Sequence, residues 1–418
     1  MQGEYWFPFC EKVFPICAGY ATVGAMSRPF RRAQTLTIAA VLNLEHAHGQ
    51  GILRGIARGA GERRQVHLLR FGHTHMRDPA WFKSLEVDGW IVKISDAAEA
   101  AALQRVDRPV LDIGAEFPNH AFPRVTTDNL AAGEMAAGHF LRRGFRQLGY
   151  VGIRNHGAST LRGDGFQRAV TQVSLPSWRL DERFDAQDRA TRTEVDHRLQ
   201  HWVDTLPEPA GVFCADDAVA GRLLNACSAL GRSMAPDVSI LGCNNDLTEI
   251  NASGVDLSSI ELNTERIGYE AMRLMAAWLG GNPPPALTEF RPLKIVSRRS
   301  TERFAVTDEP VLLALELIHE RRAGTFSVND VAKIAGISRR LLEMRFRRLL
   351  GCSIYEEVQR LRIERVIQLM ANRELRLADV AREAGFSSAA KLSAAFSAAY
   401  RTTPTAFRSA HFGESPRC

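Results

Sequence analysis

The sequence predicts a two-lobed α/β domain followed by an all-α domain that contains two helix-turn-helix motifs. Between residues 35 and 300, apolar runs typical of buried strands alternate with segments of helical periodicity, a pattern that indicates parallel sheets with helices on both faces. Some ~260 residues are many for one sheet, so we expect two lobes with a cleft at the carboxyl ends of the strands. From residue 311 to 410 the strand pattern stops and short amphipathic helices follow.

Length, composition and cysteine usage exclude several classes of protein. A chain of 418 residues, with 45% apolar and 24% charged residues, can bury large cores in two or three domains. Its seven cysteines include no C-x-x-C pair, which argues against a disulfide framework or a zinc site and fits a reducing cytoplasm. Apolar runs stay shorter than the ~18 residues of a membrane helix, and no nucleophile elbow, P-loop or dinucleotide fingerprint occurs. We therefore expect a cytoplasmic protein that is not an enzyme, has no cofactor and does not contact a membrane.

The first 34 residues do not fit the α/β pattern. They are rich in aromatic residues, lack a basic start and are interrupted by Glu11 and Lys12, so we reject a secretion signal. We interpret residues 1–34 either as a disordered N-terminal extension or as sequence upstream of a true start at Met26.

Predicted strands and helices alternate through the α/β domain. The predicted strands are Leu36–Leu42, Val66–Phe71, Gly89–Ile94, Pro109–Asp112, Gln147–Gly152, Gly211–Cys214 and Val238–Gly242. The predicted helices are Gly49–Gly61, Asn129–Arg143, Leu161–Thr171, Asp217–Leu230 and Thr264–Leu279. We assign residues 35–300 to this domain, 301–310 to a linker and 311–410 to the all-α domain.

Four polar clusters lie where predicted strands end. They are the segments 126–129, 159–166, 215–217 and 242–246. Because the carboxyl ends of parallel strands meet at one edge of a sheet, their carboxylates, amides and Arg162 can converge on the cleft and bond a ring of hydroxyls in fixed directions. This set predicts a sugar or another polyol as ligand. The alternative is structural, with Asp128 and Asp217 capping helices and Arg162 pairing with a carboxylate.

Two histidine pairs follow the first two predicted strands and could in principle bind a metal ion. They are His46 with His48, and His73 with His75. Neither pair has a nearby cysteine or a suitably spaced carboxylate, so we predict no metal site. We expect a histidine at the cleft mouth to contact ligand or solvent instead.

The all-α domain opens with a helix-turn-helix pattern. Ser327 and Asp330 can cap a short helix that ends at Gly336, and Ser338 can cap the next helix, Arg339–Leu350. One face of this second helix is apolar. The other face is predicted to contact DNA, since arginine can bind guanine, glutamate can accept from cytosine and an apolar group can meet the thymine methyl. Its residues are Arg339, Arg340, Glu343, Met344 and Arg347.

The pattern recurs after a long connecting helix, Ile354–Met370. Residues 377–387 parallel 328–338, and a second recognition helix is predicted at Ser388–Tyr400. Its outward residues are mostly Ala and Ser, and Lys391 is its one basic residue. We therefore expect base readout to depend mainly on the first unit, with Lys391 making a weaker contact.

This region resembles the AraC-type DNA-binding domain. The resemblance rests on Gly-Ile-Ser at 336–338, Gly-Phe-Ser-Ser at 385–388 and the ending Thr-Pro-x-x-Phe-Arg at 403–408. It implies two recognition helices in neighbouring major grooves, ~34 Å apart, and double-stranded operator DNA as a partner. The charge agrees, because residues 311–418 hold 18 Lys and Arg against 11 Asp and Glu, a net of +7 in a chain of net +6.

The α/β domain resembles the periplasmic-binding-protein-like sensor of LacI/GalR-type regulators. The resemblance rests on Thr-Asp-Asn at 127–129, Leu-Arg-x-x-Gly-Phe at 161–166, Asp-Asp at 216–217 and Gly-x-Asn-Asn at 242–245. It implies that four residues face the effector: Asp128, Arg162, Asp216 and Asn244. The position of Asn244 more usually holds Asp in that family, which leaves the identity of the ligand open.

Together the two resemblances imply a sugar-responsive transcription regulator. We expect a pentose such as D-xylose as effector, activation of transcription, a homodimer, and RNA polymerase as a further partner. The predicted helix Asn129–Arg143 is the candidate dimer interface. Two alternatives stay open, namely a repressor that the effector releases and a sugar-processing enzyme with a DNA-binding tail.

Overall fold

The computed structural model of the chain describes residues 35–63, 65–184, 188–233, 237–320 and 328–412. The predicted extension at 1–34, the alternative start at Met26 and the predicted cap Ser327 lie outside these residues. The strands are β1 (Leu36–Val41), β2 (Val66–Phe71), β3 (Gly89–Val92), β4 (Val110–Asp112), β5 (Arg124–Thr127), β6 (Gln147–Ile153), β7 (Ser177–Glu182), β8 (Ala210–Cys214), β9 (Val238–Cys243), β10 (Ser258–Glu261), β11 (Leu287–Phe290) and β12 (Lys294–Val296).

The helices divide between the α/β region and the C-terminal region. Those of the α/β region are α1 (Ala47–Gly61), α2 (Pro79–Ser84), α3 (Ala97–Leu103), α4 (Asn129–Arg142), α5 (Gly157–Gln172), α6 (Arg189–Asp204), α7 (Asp217–Ala229), α8 (Leu247–Ala252) and α9 (Thr264–Leu279). Those of the C-terminal region are α10 (Glu309–Glu320), α11 (Val328–Ile334), α12 (Arg339–Leu350), α13 (Ile354–Met370), α14 (Leu377–Glu383), α15 (Ala389–Tyr400) and α16 (Pro404–Phe412). Within the described residues, no helix combines the length and apolarity needed to cross a membrane.

The strands form two six-stranded sheets, one in each lobe. The first lobe has the order β11-β5-β4-β3-β1-β2, with every neighbouring pair parallel. The second has the order β12-β10-β9-β8-β6-β7, in which β12 runs antiparallel to β10. The chain crosses between the lobes after β5, again between β10 and β11 along α9, and again between β11 and β12. These findings confirm the predicted two-lobed α/β fold.

Central and edge strands differ in composition for a physical reason. β3 and β8 are buried at every residue because helices cover both faces of each sheet. The edge strands β7 and β11 are polar and partly exposed, so they lack the apolar run that marks a buried strand in the sequence. These two edge strands were therefore missed in the sequence, whereas the more apolar edge strand β2 was predicted.

The C-terminal region contains two helix-turn-helix units, α11–α12 and α14–α15, joined by α13. Gly336 lies in the turn between α11 and α12. Its φ is +70, a left-handed conformation that glycine adopts without strain. Ser338 caps α12 by accepting from the Leu341 amide at 3.3 Å, and Ser388 caps α15 rather than lying in it. Each unit has its own apolar core, with Phe346 buried in the first and Phe396 in the second. The predicted pair of helix-turn-helix motifs is confirmed.

The C-terminal region packs against both lobes of the α/β domain. Arg146, which follows α4 in the second lobe, donates to the Leu349 carbonyl of α12. α16 contacts α9, which packs on α1 of the first lobe. Leu293, in the last crossover between the lobes, is buried in the core of the second helix-turn-helix unit.

This packing argues against α4 as the dimer interface. α4 was the candidate dimer interface, yet none of its residues is exposed. It lies against α5 on one side, and near its end the Arg143 guanidinium stacks on Phe304 at 5.2 Å. α4 therefore offers little free surface to a second subunit.

Candidate functional site

A cavity of about 290 Å³ lies between the two lobes, bordered by the loops that follow the strands of both sheets. The first lobe contributes residues that include His48, Lys93, Glu116 and Thr127. The second lobe contributes residues that include Arg162, Asp216 and Asn244. A ligand in this cavity would therefore contact both lobes at once, and we call the cavity the interlobe cleft.

Arg162 is fixed by close packing of α4 on α5. A Cβ on Gly133 would lie 2.0 Å from the Arg162 carbonyl oxygen, so only glycine allows the two helices to approach this far. The Arg162 side chain is buried, and its Nε donates to Asn129 Oδ1 at 2.9 Å. It also donates to the Ala215 carbonyl. These bonds hold the guanidinium against the cleft, and Arg162 forms no ion pair with a carboxylate of any described residue, contrary to the structural alternative.

The two adjacent carboxylates at the start of α7, Asp216 and Asp217, have different roles. Asp216 lines the cleft and caps the helix, accepting from the Val219 amide at 2.8 Å. Asp217 is buried and accepts from Ser259 Oγ at 2.6 Å and from the Asp246 amide at 2.7 Å. Burial raises the pKa of Asp217 to about 7. The cap is therefore Asp216, whereas Asp217 braces the loop that carries Asn244.

Three buried polar atoms at the cleft have no hydrogen-bond partner among the residues that the structure describes. They are His48 Nε2, Thr127 Oγ1 and Asn244 Oδ1. Asn244 has φ +103 and its amide donates to the Ile260 carbonyl at 2.9 Å, so its backbone is held while its side-chain oxygen is free. Buried polar atoms are almost always hydrogen-bonded. Three of them around one cavity indicate that a polar ligand supplies the missing partners.

The structure does not bring Asp128 into the cleft. Its carboxylate accepts from the Ala131 amide at 2.8 Å and caps α4, and it does not line the cavity, whereas the next residue, Asn129, does. Capping turns the Asp128 side chain toward the helix amides, as the structural alternative proposed. Asn129, and not Asp128, therefore borders the cavity.

The predicted DNA-contacting side chains lie on outward faces of α12 and α15. Arg340, Arg347 and Lys391 are exposed, and Met344 is 58% exposed. Arg339 Nε pairs with Glu343 Oε1 at 3.0 Å, which leaves Arg340 and Arg347 as the freer cations of this face. On α15, Ala390 and Ala394 are also exposed and offer no polar group to a base edge.

Two family models match the chain. A periplasmic binding protein-like domain matches residues 137–301, and a helix-turn-helix domain matches residues 331–410. The xylose operon regulatory protein of Haemophilus influenzae is 27% identical over 336 residues, covering 78% of this chain and 85% of that protein. The Escherichia coli protein of the same name is 26% identical over 329 residues, covering 77% and 83%.

Solved structures share the architecture. The structure of the xylose-binding transcription activator XylR matches with a TM-score of 0.57 and 23% identity, over 89% of this chain and 97% of that one. The chain is an AraC-type transcription regulator with a periplasmic-binding-protein-like sensor domain. The complex of the regulator CelR with cellobiose resembles the sensor part, with a TM-score of 0.54, 21% identity, and coverage of 64% and 85%.

One charged cluster at the interlobe cleft of this regulator was not predicted from the sequence. Lys93 Nζ pairs with Glu116 Oε1 at 2.5 Å, and His156 of the second lobe reaches the same oxygen at 3.2 Å. Burial would raise the pKa of Glu116, but Lys93 and His156 outweigh it and hold the carboxyl ionised. Lys93 follows β3 and Glu116 follows β4, but the predicted strand Gly89–Ile94 included Lys93, so it was not recognised as a residue at a strand end.

The histidines of the regulator's cleft do not form a metal site. Within the described residues, no group of three or more His, Cys, Asp and Glu side chains could hold a metal ion. His46, His48 and His73 line the cleft, while His75 stacks on Trp81 with ring centroids 5.4 Å apart. Burial lowers the pKa of His48 to about 3, so its imidazole is neutral at pH 7 and suits a hydroxyl group.

Proposed function

We propose that the interlobe cleft binds a small neutral sugar, with a pentose such as D-xylose as the first candidate, and that the bound form activates transcription from an operator. The observation that supports a sugar ligand is the set of unpartnered polar atoms on His48, Thr127 and Asn244. Sugar hydroxyls both donate and accept, so they can satisfy all three atoms together.

The charges around the cleft favour a neutral ligand. Lys93 and Glu116 neutralise each other, and His48 is uncharged at pH 7. Arg162 is the remaining cation, and Asp216 lies near it on the second lobe. A polyol can bridge such a pair, whereas a sugar phosphate would bring two negative charges to a site that already holds several carboxylates. The names of the relatives from Haemophilus influenzae and Escherichia coli make xylose the first sugar to test.

The proposed mechanism is a shift between two populations of the sensor. A sugar that contacts both lobes binds the closed form more tightly, and it can shift the equilibrium only by that difference in affinity. Closure would move the two lobes that the C-terminal region touches, and so reposition its recognition helices. We further propose that the regulator acts as a homodimer on paired half-sites and contacts RNA polymerase there.

The test of sugar binding is a thermal-shift screen followed by calorimetry. D-xylose, L-arabinose, D-ribose, D-glucose and xylose phosphate are compared at equal concentration. A ligand present at 100 times its Kd should stabilise the sensor by about 2.7 kcal/mol. No response to any free sugar, or a response to the phosphate alone, would contradict the proposal.

Two further assays separate the alternatives. A promoter fusion with and without sugar distinguishes an activator from a repressor by the sign of the response. Incubation with the bound sugar, followed by analysis for any product, tests for the sugar-processing enzyme. We expect a rise in transcription and an unchanged sugar.

A further inference from the structure

A second cavity, of about 590 Å³, lies between the sensor and the DNA-binding region. It is bordered by α4, by the crossover from β11 to β12, and by α13 and α15. It shares no lining residue with the interlobe cleft. We call it the junction cavity.

Most of the junction cavity wall is apolar. Its apolar residues are Ala131, Met135, Pro292, Ile295, Ile363, Ala395, Ala398, Ala399 and Tyr400. A wall of this kind binds hydrocarbon or aromatic groups by removing them from water. It provides few partners for a polyol, so the effector sugar is not the expected occupant.

The acidic and basic side chains that line the junction cavity differ in whether they have an ion-pair partner. Both carboxylates are engaged, Glu134 with Arg168 and Glu364 with Arg360. Lys294 pairs with Glu261 at 3.5 Å. Arg142 and Arg291 form no ion pair with any residue that the structure describes. Among the described residues, the cavity therefore has two cations without an ion-pair partner, whereas both of its carboxylates are paired.

Arg142 is the unusual residue of the junction cavity. Its Nε is buried and has no hydrogen-bond partner within the described part of the chain, and the same is true of Oε1 of Gln359, which also lines the cavity. Burial and the charge of Arg360 lower the pKa of Arg142 to about 10, and the attraction of Glu357 and Glu364 offsets them only in part, so the guanidinium is still protonated at pH 7. A guanidinium nitrogen that is buried without a hydrogen-bond partner is costly, and a bound ion or water is one recognised explanation for such a group.

We propose that the junction cavity is a second ligand site, for a small organic anion with an apolar body. The acidic head binds the guanidinium of Arg142, with Arg291 at the mouth of the cavity, and the amide of Gln359 can rotate to offer a further bond. The apolar body lies against Ile363, Ala395 and Tyr400. Because the wall belongs to both the sensor and the DNA-binding helices, the ligand stabilises their docked arrangement.

The test uses anilinonaphthalene sulfonate, an aromatic anion whose fluorescence rises in apolar sites. It is titrated into the full chain, and benzoate and benzyl alcohol compete for the site at equal concentration. Benzoate should displace the probe and its neutral counterpart should not. Arg142→Met should weaken probe and benzoate binding about tenfold or more, as expected for a hydrogen bond to a charged group. It should also raise thermal stability without ligand, because it removes a guanidinium whose Nε is buried without a hydrogen-bond partner.

Two further variants make the result specific. Ala398→Trp fills the cavity with Arg142 intact and should abolish probe binding, whereas Arg365→Met removes a cation from α13 that does not line the cavity and should change nothing. Equal displacement by benzoate and benzyl alcohol would overturn anion recognition. Probe binding unchanged by both Arg142→Met and Ala398→Trp would place the probe elsewhere and overturn the site. Neither result depends on the sugar, so the proposed function is tested separately.

Discussion

At the scale of single residues, the interlobe cleft depends on side chains whose backbone is fixed while one polar atom is free. Asn244 illustrates this arrangement. Its amide is bonded to Ile260, its φ is positive, and its Oδ1 has no partner. Asp128 shows the opposite case, because its carboxylate accepts a hydrogen bond from the Ala131 amide of α4, the helix that it caps. Which of two adjacent polar residues borders the cleft is therefore decided by the local backbone.

Replacing Asn244 by glycine should remove the ligand contact with little damage to the fold. Glycine adopts φ +103 without strain, so the loop is expected to keep its shape. Sugar affinity should fall about fivefold to tenfold, the worth of one neutral hydrogen bond, as measured by calorimetry. Asn245→Gly is the control, because Asn245 also has positive φ but does not line the cleft. An equal loss of affinity in both variants would show that loop shape, and not the Asn244 side chain, matters.

His48 should make the sensor sensitive to acid. Its pKa is about 3 in the folded chain and ordinarily 6.5, so between these values the unfolded chain binds a proton that the folded chain does not. The free energy of unfolding therefore falls as the pH falls through this range. His48→Gln should reduce the loss between pH 7.5 and pH 5 by about 1–2 kcal/mol. Urea unfolding at the two pH values measures the effect, and identical pH dependence in both proteins would refute the assignment.

At the scale of elements, prediction from sequence succeeded where the signals are local. The bounds of α12 and α13 were predicted correctly because Ser338, Gly351 and Ser353 terminate or cap these helices through contacts a few residues away. The edge strands β7 and β11 were missed because their residues are polar, and only pairing with a distant strand makes them strands. The Lys93–Glu116 pair was also missed, because the two residues come together only when β3 pairs with β4. Arg162, Asp216 and Asn244 line the cleft, at which the resemblance to LacI/GalR-type regulators placed them, and their effector contacts stay predictions.

The two recognition helices should contribute unequally to sequence readout. Arg340→Ala on α12 should cost about 1–3 kcal/mol on the operator and reduce the preference for it over a mutated site. Lys391→Ala on α15 should weaken binding to both DNAs to a similar small extent, as loss of a phosphate contact does. Both residues are exposed. Fluorescence anisotropy at one fixed salt concentration provides the comparison, and equal loss of specificity in the two variants would contradict it.

At the scale of the whole molecule, the DNA-binding region is attached at several points. Its first unit meets the second lobe through Arg146, its last helix meets α9, and Leu293 from the crossover completes the core of its second unit. A relative movement of the lobes therefore acts on both helix-turn-helix units, and not on the connecting segment alone.

Leu293→Ala should destabilise the second helix-turn-helix unit more than the sensor. Leu293 is 9% exposed and belongs to that unit's core, so truncation should cost about 2–3 kcal/mol. Hydrogen exchange should become faster in α13–α15, while sugar affinity in the cleft is retained. Leu287→Ala is the matched control, since Leu287 is 51% exposed and should have little effect. Faster exchange confined to the sensor would disprove the link.

The position of Leu293 has a consequence for building hybrid regulators. A graft that joins a foreign sensor to this chain at residue 301 would omit Leu293 and leave a gap in the second unit, although the two halves look separable along the sequence. A working chimera has to carry the crossover from about residue 291 onward together with its helices, and evolution by swapping of input modules would meet the same constraint.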